Sequence, residues 1–353
     1  MTLRPTPTAV GSVLASILAV RSAAAQGGAL DQRCVASAPA TTIGGATALV
    51  QQDACQKSID LFNYLAPQLG ALVAGGSAEL GRGGTLGGLG HVGVGVRANL
   101  IGGGRLPDVS NVQLSYTGAQ RTDFAVKSQA LALPAVDAGV GLFAGVPVGL
   151  TRVGGLDLLL SGAYVPSFSS GQVRVDRTVG ALQVGFGARL GILERSRFVP
   201  GVAVTYLHRS LPETSILAVT NAGDTIGVRG ARVSTDSWRL AADQRVSIVR
   251  FDAGVGQDRY DSRATIAGRV APTALPSAVA AAGVGTFSAA FAQRLTRTNV
   301  YAGASLPAGG LAQLVAEVGR VSGGASVPTY NGFSGRMPTD AYTYVSLGVR
   351  VGR

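Results

Sequence analysis

The chain has 353 residues, of which 46% are hydrophobic and 14% charged, and its mean hydropathy is +0.31. A soluble globular protein carries charge on roughly a quarter of its residues, so this composition predicts that part of the surface faces something other than water. The formal net charge is +11, but the arginines are spaced one or two to a segment, without the basic patch and interleaved aromatic residues of a nucleic-acid-binding protein. No nucleic-acid partner is therefore expected.

The N-terminus has the pattern of a secretory signal peptide. Arg4 precedes an apolar run from Ala9 to Val20, and Ala23-Ala24-Ala25 supplies the small residues that signal peptidase reads. We predict a signal peptide over residues 1–25 and a mature chain that begins at Gln26, outside the cytoplasm. Loss of Arg4 and Arg21 would lower the net charge by two, from +11 to +9.

Two cysteines, Cys34 and Cys55, follow the signal site closely. Exported chains mature in an oxidising compartment, so a disulfide between them is predicted. No histidine stands near either cysteine in the sequence, so no metal site is expected. No cofactor is expected either.

Residues 26–70 are expected to form a separate N-terminal periplasmic or plug segment with one short helix. Asp53 stands three residues before Gln56 in a capping-box arrangement, and apolar residues then recur at helical spacing as far as Pro67. Two roles remain open for this segment: a structural lid, or a plug in the mouth of a pore.

Residues 71–353 alternate between apolar and polar positions with a period of two. Over residues 182–190 the apolar set is Leu182, Val184, Phe186, Ala188 and Leu190, and the intervening residues are Gln183, Gly185, Gly187 and Arg189. Successive side chains of a strand point to opposite faces, so such a segment is predicted to be a strand with one apolar and one polar face. A soluble β-sandwich would coat the second face with charge, whereas here that face is mostly glycine and small polar residues.

Thirteen segments follow this pattern clearly, and weaker extended pieces between them set the expected number of strands at about 12–14. The thirteen segments are residues 72–80, 91–101, 136–146, 156–165, 179–192, 198–208, 238–243, 247–258, 263–270, 284–294, 298–306, 311–321 and 342–351.

The connections between these segments alternate between tight turns and long polar stretches. Gly154-Gly155 and Ala308-Gly309-Gly310 are tight turns, whereas residues 102–123, 211–236 and 322–340 are expected to be long loops. Short turns at one end and long loops at the other are typical of a transmembrane antiparallel β-barrel. We therefore predict an all-β fold in which residues 71–353 form the barrel.

The chain resembles bacterial outer-membrane β-barrel proteins of the porin-like kind. The resemblance rests on the signal ending at Ala25, the repeated two-faced strands and the final strand that begins at Tyr342. It implies a Gram-negative outer-membrane location, contact with outer-membrane lipid and lipopolysaccharide, and insertion by the outer-membrane assembly machinery. Such proteins usually end in an aromatic residue, whereas this chain ends in Arg353. A helical segment ahead of a barrel also resembles the FadL-type channels for hydrophobic compounds, although no motif of that family is matched.

Charged residues out of phase with the apolar set of their strand are predicted to line the lumen. If these side chains pair across strands, the lumen is closed or electrically neutral. If the arginines are in excess at a constriction, the pore selects solutes and prefers anions. The candidates are Arg97, Asp137, Asp157, Arg189, Arg250, Asp252, Glu317 and Arg350.

Three functions follow from this interpretation, in order of preference. The first is a passive channel for small solutes or hydrophobic compounds, and the second is a plugged structural or surface-interaction barrel without transport. The third is an outer-membrane lipid hydrolase that uses His208 and Ser210 for acyl transfer. The sequence shows no third group that would orient His208, so the chain is not expected to be an enzyme.

Overall fold

The structure is a computed structural model that describes residues 28–35, 43–77, 83–165, 167–170, 173–177, 182–271, 277, 286–324, 328–334 and 337–352. The predicted signal peptide and the terminal Arg353 lie outside these residues.

Within the described residues the chain forms a 3-10 turn at Gln32–Cys34, one α-helix, α1, at Ile43–Ala74, and nineteen β-strands. The strands are β1 (Val92–Gly102), β2 (Arg105–Pro107), β3 (Asp123–Phe124), β4 (Val126–Ser128), β5 (Leu131–Phe143), β6 (Val146–Val148), β7 (Thr151–Val153), β8 (Gly155–Tyr164), β9 (Phe168–Ser170), β10 (Val173–Arg177), β11 (Leu182–Leu193), β12 (Gly201–Ser210), β13 (Thr214–Val219), β14 (Thr225–Val246), β15 (Val249–Arg269), β16 (Thr286–Gly309), β17 (Ala312–Val321), β18 (Gly332–Phe333) and β19 (Tyr342–Gly352).

Ten of these strands close into an antiparallel barrel. Their order around the wall is β1, β5, β8, β11, β12, β14, β15, β16, β17 and β19, and β19 pairs with β1 to complete the circle. The short strands β13, β10 and β9 continue the sheet outward from β14, so the described sheet has 13 strands in all. The predicted transmembrane barrel is thus confirmed, but its closed wall has ten strands, fewer than the 12–14 that were expected.

The closed wall has fewer strands than the sequence suggested because four of the thirteen predicted segments merge in pairs. The predicted strands 247–258 and 263–270 fall largely within the single strand β15, and the described residues of 284–294 and 298–306 fall within β16. Polar residues interrupt the apolar alternation in the middle of both, which suggested loops. The strands continue because they extend past the lipid, where an outward polar residue costs nothing. The predicted strand at 72–80 is wrong, because residues 72–74 belong to α1 and residues 75–77 are not in a strand; residues 78–80 lie outside the described residues.

The two faces of the wall differ as the alternation predicted. Val184 and Phe186 are 57% and 58% exposed on the outside, whereas Arg189 on the inner face is fully buried. Outward apolar residues form a continuous band around the barrel, as a surface that contacts hydrocarbon requires. The rings of Tyr206 and Trp238, 4.9 Å apart on β12 and β14, lie at one edge of this band.

The two ends of the barrel also differ. At one end Ser247 and Ile248 join β14 to β15, and Gly310 and Leu311 join β16 to β17, in tight turns. At the other end the connections are long, and β14, β15 and β16 have 22, 21 and 24 residues, more than the 9–11 or so that cross a bilayer. Part of the predicted loop 211–236 is therefore a tall hairpin formed by β13 and β14. In barrels of this class the long loops face the cell exterior.

No helix in the described ranges is both long enough and apolar enough to span a membrane.

Candidate functional site

Helix α1 lies inside the barrel. It packs against strands β1, β5, β12, β14, β15, β16 and β19, which together surround it. The last turn of the helix, residues 71–74, is buried in a cluster with Tyr260, Tyr301 and Tyr344 from the inner wall. Of the two roles left open by the sequence, the described geometry is that of a plug.

The helix is longer than the sequence indicated, because it begins at Ile43 and continues through Pro67 to Ala74. Proline removes one backbone donor and usually kinks a helix, but here the surrounding wall holds the last two turns in place. At Gly70 a side chain would stand 2.6 Å from the ring of Tyr260, so only glycine allows this close approach. The helix is followed by Gly76, which has a φ of +62° and turns the chain away from the helical path.

Three arginines from the inner wall converge on the C-terminal end of α1, and we call them the lumen arginine cluster: Arg97, Arg209 and Arg239. Arg209 Nη1 donates to the carbonyls of residues 73, 74 and 76 at 3.1, 3.2 and 3.1 Å. Arg97 Nη1 donates to the carbonyl of residue 75 at 3.3 Å, and Arg239 Nη2 donates to that of residue 74. The C-terminal carbonyls of a helix are unpaired and carry partial negative charge, so the cluster stabilises the docked helix.

Sequence reasoning missed two members of this cluster. Arg209 and Arg239 occupy the inward phase of β12 and β14, next to the outward residues His208 and Trp238. Arg239 lies within the predicted strand 238–243, out of phase with Trp238 and Leu240, so the alternation already marked it as inward. Arg209 lies one residue beyond the predicted strand 198–208, and the same alternation would have identified it had that strand been extended.

The cluster is balanced by buried carboxylates on neighbouring strands. Arg97 pairs with Asp137 at 2.6 Å, and Arg209 reaches the other oxygen of Asp137 at 3.5 Å. Arg239 lies 3.5 Å from Glu317. The predicted candidates Arg97, Asp137 and Glu317 are thus brought together at the level where the helix ends. The two carboxylates offset two of the three positive charges of the cluster, and the remaining one faces the C-terminal carbonyls of the helix.

A second layer of charge lies nearer the tight-turn end. Arg189 pairs with Asp157 at 2.5 Å, and both side chains are fully buried. Asp157 also accepts the backbone N–H of Leu86, at 3.1 and 3.0 Å, from the segment that joins the helix to β1. Thr85 and Leu86 of this segment therefore lie in the lumen between the C-terminal end of the helix and the tight turns.

The remaining lumen candidates lie in the same lower region. Arg250 is 3.4 Å from Asp243, which also pairs with Arg195 at 2.6 Å. Arg350 donates to Gln313, and Asp252 lies beside Gly303. Asp252 makes no ion pair with a described residue.

At the long-loop end, two carboxylates of α1 each bind one loop. Asp53 pairs with Lys57 at 2.5 Å and accepts the backbone N–H groups of Ser115 and Gln120 at 2.7 and 3.0 Å. Asp60 accepts the backbone N–H and the side-chain amide of Asn331 at 2.8 and 2.6 Å. Burial raises the pKa of the Asp60 carboxyl to about 6.

Aromatic rings and the disulfide complete this closure. Phe333 stacks between Tyr64 of the helix and Phe124 of the adjoining loop, with ring centroids 4.2 and 5.2 Å away. Cys34 and Cys55 form the predicted disulfide, which is confirmed and ties the segment 28–35 to the helix. The N-terminal end of α1, its disulfide and the long loops therefore form one packed cap.

Two spaces lie beside described residues of the helix. The crevice next to Arg97 and Arg209 has a volume of about 10 Å³, which is no more than one water molecule needs. A wider cleft of about 270 Å³ opens between the N-terminal segment and β16 at the long-loop end, lined by residues that include Asn63 and Phe291. The cleft lies at the cap, whereas the crevice lies at the level of the lumen arginine cluster.

His208, the histidine of the third functional hypothesis, lies on the outside of the barrel. Its Nδ1 is 2.9 Å from the carboxylate of Asp236, which also accepts the hydroxyl of Tyr206 at 2.8 Å. The structure thus supplies the orienting group for His208 that the sequence did not reveal.

No protein-family profile and no curated protein matches the chain. Among solved structures, the attachment invasion locus protein Ail of Yersinia pestis is 6% identical, with a TM-score of 0.26 over 75% of this chain and 99% of that chain. The β domain of the Bordetella autotransporter BrkA is 13% identical, with a TM-score of 0.32 over 74% and 100%. An outer-membrane channel from Pseudomonas putida F1 is 11% identical, with a TM-score of 0.29 over 74% and 96%.

These likenesses are distant and establish nothing about this chain by themselves. The closed wall and its apolar outer band are those of an outer-membrane β-barrel, as the sequence predicted.

Proposed function

We propose that this protein is a plugged outer-membrane barrel that presents its disulfide-tied N-terminal segment and its long loops at the cell surface. The observation that carries this proposal is the contact between the lumen arginine cluster and the C-terminal carbonyls of α1. A helix held by buried, charge-assisted hydrogen bonds stays in the lumen as a fixed part of the folded barrel.

The direction of the helix supports the display role. Its N-terminal end is bound to the long loops through Asp53 and Asp60, and the chain leaves its C-terminal end towards the tight turns, where Thr85 donates its backbone N–H to Glu194 at 3.0 Å. The chain therefore passes through the barrel from the outer end to the inner end before it enters β1.

A passive channel, the first choice from the sequence, would require α1 to leave the lumen. Hydrogen bonds to charged groups contribute about 1.5–3 kcal/mol each, and leaving would break several of them at once. The lumen is accordingly assigned a structural role without transport or chemistry. We propose that the protein contacts the assembly machinery during insertion, and outer-membrane lipid and lipopolysaccharide afterwards.

Conductance in planar bilayers tests this proposal. Full-length protein, shown to be folded by its heat-sensitive gel mobility, should give no steady current after insertion at neutral pH. A stable open conductance in every insertion event would contradict the plugged barrel and support the channel.

A further inference from the structure

A histidine, a serine and a carboxylate meet on the outer face of the barrel, outside the plugged lumen. His208 and Ser210 are two residues apart on β12 and share its outward face. Asp236 on β14 is the direct cross-strand partner of His208, and its Oδ1 is 2.9 Å from His208 Nδ1. The ring orientation of His208 is therefore fixed by a neighbouring carboxylate, as it is in hydrolases that use a serine nucleophile.

The other reactive atoms of this group are unengaged. The Ser210 hydroxyl and His208 Nε2 make no hydrogen bond with any residue in the described ranges, and the His208 side chain is 30% exposed. Positions i and i+2 of a strand are about 7 Å apart at Cα, which side-chain rotation can shorten to hydrogen-bond distance. Catalytic hydrogen bonds are often long until substrate binds.

The position of the group selects a lipid as the substrate. Tyr206, at the edge of the apolar band, is two residues before His208 and four before Ser210 on the same face. On the other side of β12, the lipid-facing Phe186 of β11 is the cross-strand partner of His208, and the two rings are 5.5 Å apart. The group therefore borders the apolar band directly. Carboxylic esters that link acyl chains to a lipid headgroup lie at this depth.

Arginines beside the group favour an anionic headgroup. Arg259 on β15 is the cross-strand partner of Asp236, and further from the lipid Arg263 lies directly opposite Arg232, with exposed side chains on both. Arg232 is paired with Glu213, and Asp261 is shared between Arg263 and Arg294. With Arg259 and Asp236 included, four arginines face three carboxylates, and a bound phosphate would supply the balancing negative charge.

We propose that Ser210, His208 and Asp236 form an acyl-ester hydrolase site for anionic, phosphate-bearing lipids of the outer leaflet. Ser210 Oγ attacks the ester carbonyl carbon and its proton passes to His208 Nε2. The bond between the acyl carbon and the leaving alcohol oxygen breaks, and His208 returns the proton to that oxygen. Water then attacks the acyl-serine, His208 takes its proton, and the fatty acid leaves as Ser210 regains its hydrogen. Asp236 keeps its charge and holds the imidazole throughout.

The test uses the full-length protein in mixed micelles that contain phosphatidylglycerol, an acylated phosphoglycolipid or phosphatidylcholine. Fatty-acid release in ¹⁸O-labelled water is followed by mass spectrometry, and the parent is treated separately with a serine-directed fluorophosphonate. The variants are Ser210→Ala and Asp236→Asn, and the matched control is Ser234→Ala, because Ser234 is the outward cross-strand partner of Ser210. Gel mobility checks that each variant is folded.

We expect release from at least one of the two anionic lipids, with one ¹⁸O per fatty acid and with the fluorophosphonate on Ser210. Ser210→Ala and Asp236→Asn should lower the rate at least about a hundredfold, and the control should keep it. Arg259→Gln with Arg263→Gln should raise KM for the anionic lipid by about tenfold, with kcat retained and the rate on phosphatidylcholine unchanged. Release that does not exceed the Ser210→Ala level, equal activity of Asp236→Asn, or labelling at another serine would overturn the proposal.

Discussion

Replacement of Arg209 by methionine should loosen the plug without harming the barrel. Arg209 is almost fully buried and donates to three carbonyls at the end of α1, at 3.1–3.2 Å. Methionine has a similar length and removes the charge and the donors. Asp137 keeps its partner, because Arg97 remains 2.6 Å away.

The size of the effect follows from these contacts. One Nη1 atom serves three acceptors, so the loss corresponds to one or two charge-assisted hydrogen bonds, at about 1.5–3 kcal/mol each, and includes the favourable placement of a cation at a helix C-terminus. A total of roughly 3 kcal/mol would increase the population of the open state about a hundredfold, since about 1.4 kcal/mol corresponds to a factor of ten.

The fraction of time that single molecules conduct in planar bilayers measures this population. Arg245→Met is the matched control, because Arg245 is exposed at the tight turn between β14 and β15 and its guanidinium Nε donates to the carbonyl of Ser247 in that turn, far from the helix. Arg209→Met should open about a hundred times more often than the parent, and Arg245→Met should not. An opening frequency within about threefold of the parent in both variants would refute the assigned role of the cluster.

Three further results are expected. Gly70→Ala should weaken the docked helix, since the new methyl would stand 2.6 Å from the Tyr260 ring; unchanged urea resistance would argue against this close contact. The pKa of Asp60 is about 6 in the folded chain and 3.8 ordinarily, so the folded state binds the proton more tightly. The free energy of unfolding should therefore rise as the pH falls from about 7 to about 4, by an amount on the order of 3 kcal/mol at most, and Asp60→Asn should remove this dependence; a flat profile in the parent would contradict it. An impermeant amine reagent applied to intact cells should modify Lys127, whose side chain is 74% exposed, and spare Lys57, whose side chain is 1% exposed. Modification of Lys57 without Lys127 would contradict the arrangement of the cap described above.

The facing of the wall could be predicted from sequence because it is a local property. Each side chain of a strand is fixed to one face by its position, so Phe186 and Arg189 could be assigned to lipid and lumen without knowledge of their neighbours. The same rule indicated that Arg97 and Asp137 point inward, and the structure places both there.

The contacts that decide function could not be predicted in this way. His208 and Asp236 are 28 residues apart, and they meet only because β12 and β14 pair in one particular register across the intervening β13 hairpin. A shift of two residues would give the same outward faces and separate the pair.

The helix shows a second limit of local reasoning. Pro67 and Gly70 normally end a helix, and the predicted helix stopped there. In the structure the arginine cluster and the tyrosines of the wall stabilise the last turn, so long-range contacts override local propensity. These contacts involve residues from six separate strands, whose convergence on one point depends on closure of the barrel.

Detection of the N-terminal segment at the cell surface tests most directly whether the chain passes through its own barrel from the outside. A short epitope inserted immediately before Gly28 would precede the segment that the disulfide ties to the helix at Cys55. In intact cells we expect full antibody binding to this epitope, equal to the binding of the same epitope placed in the long loop beside Lys127. An epitope placed at Ile248 in the tight turn should bind no antibody. Binding at Gly28 only after the outer membrane is permeabilised would contradict this expectation.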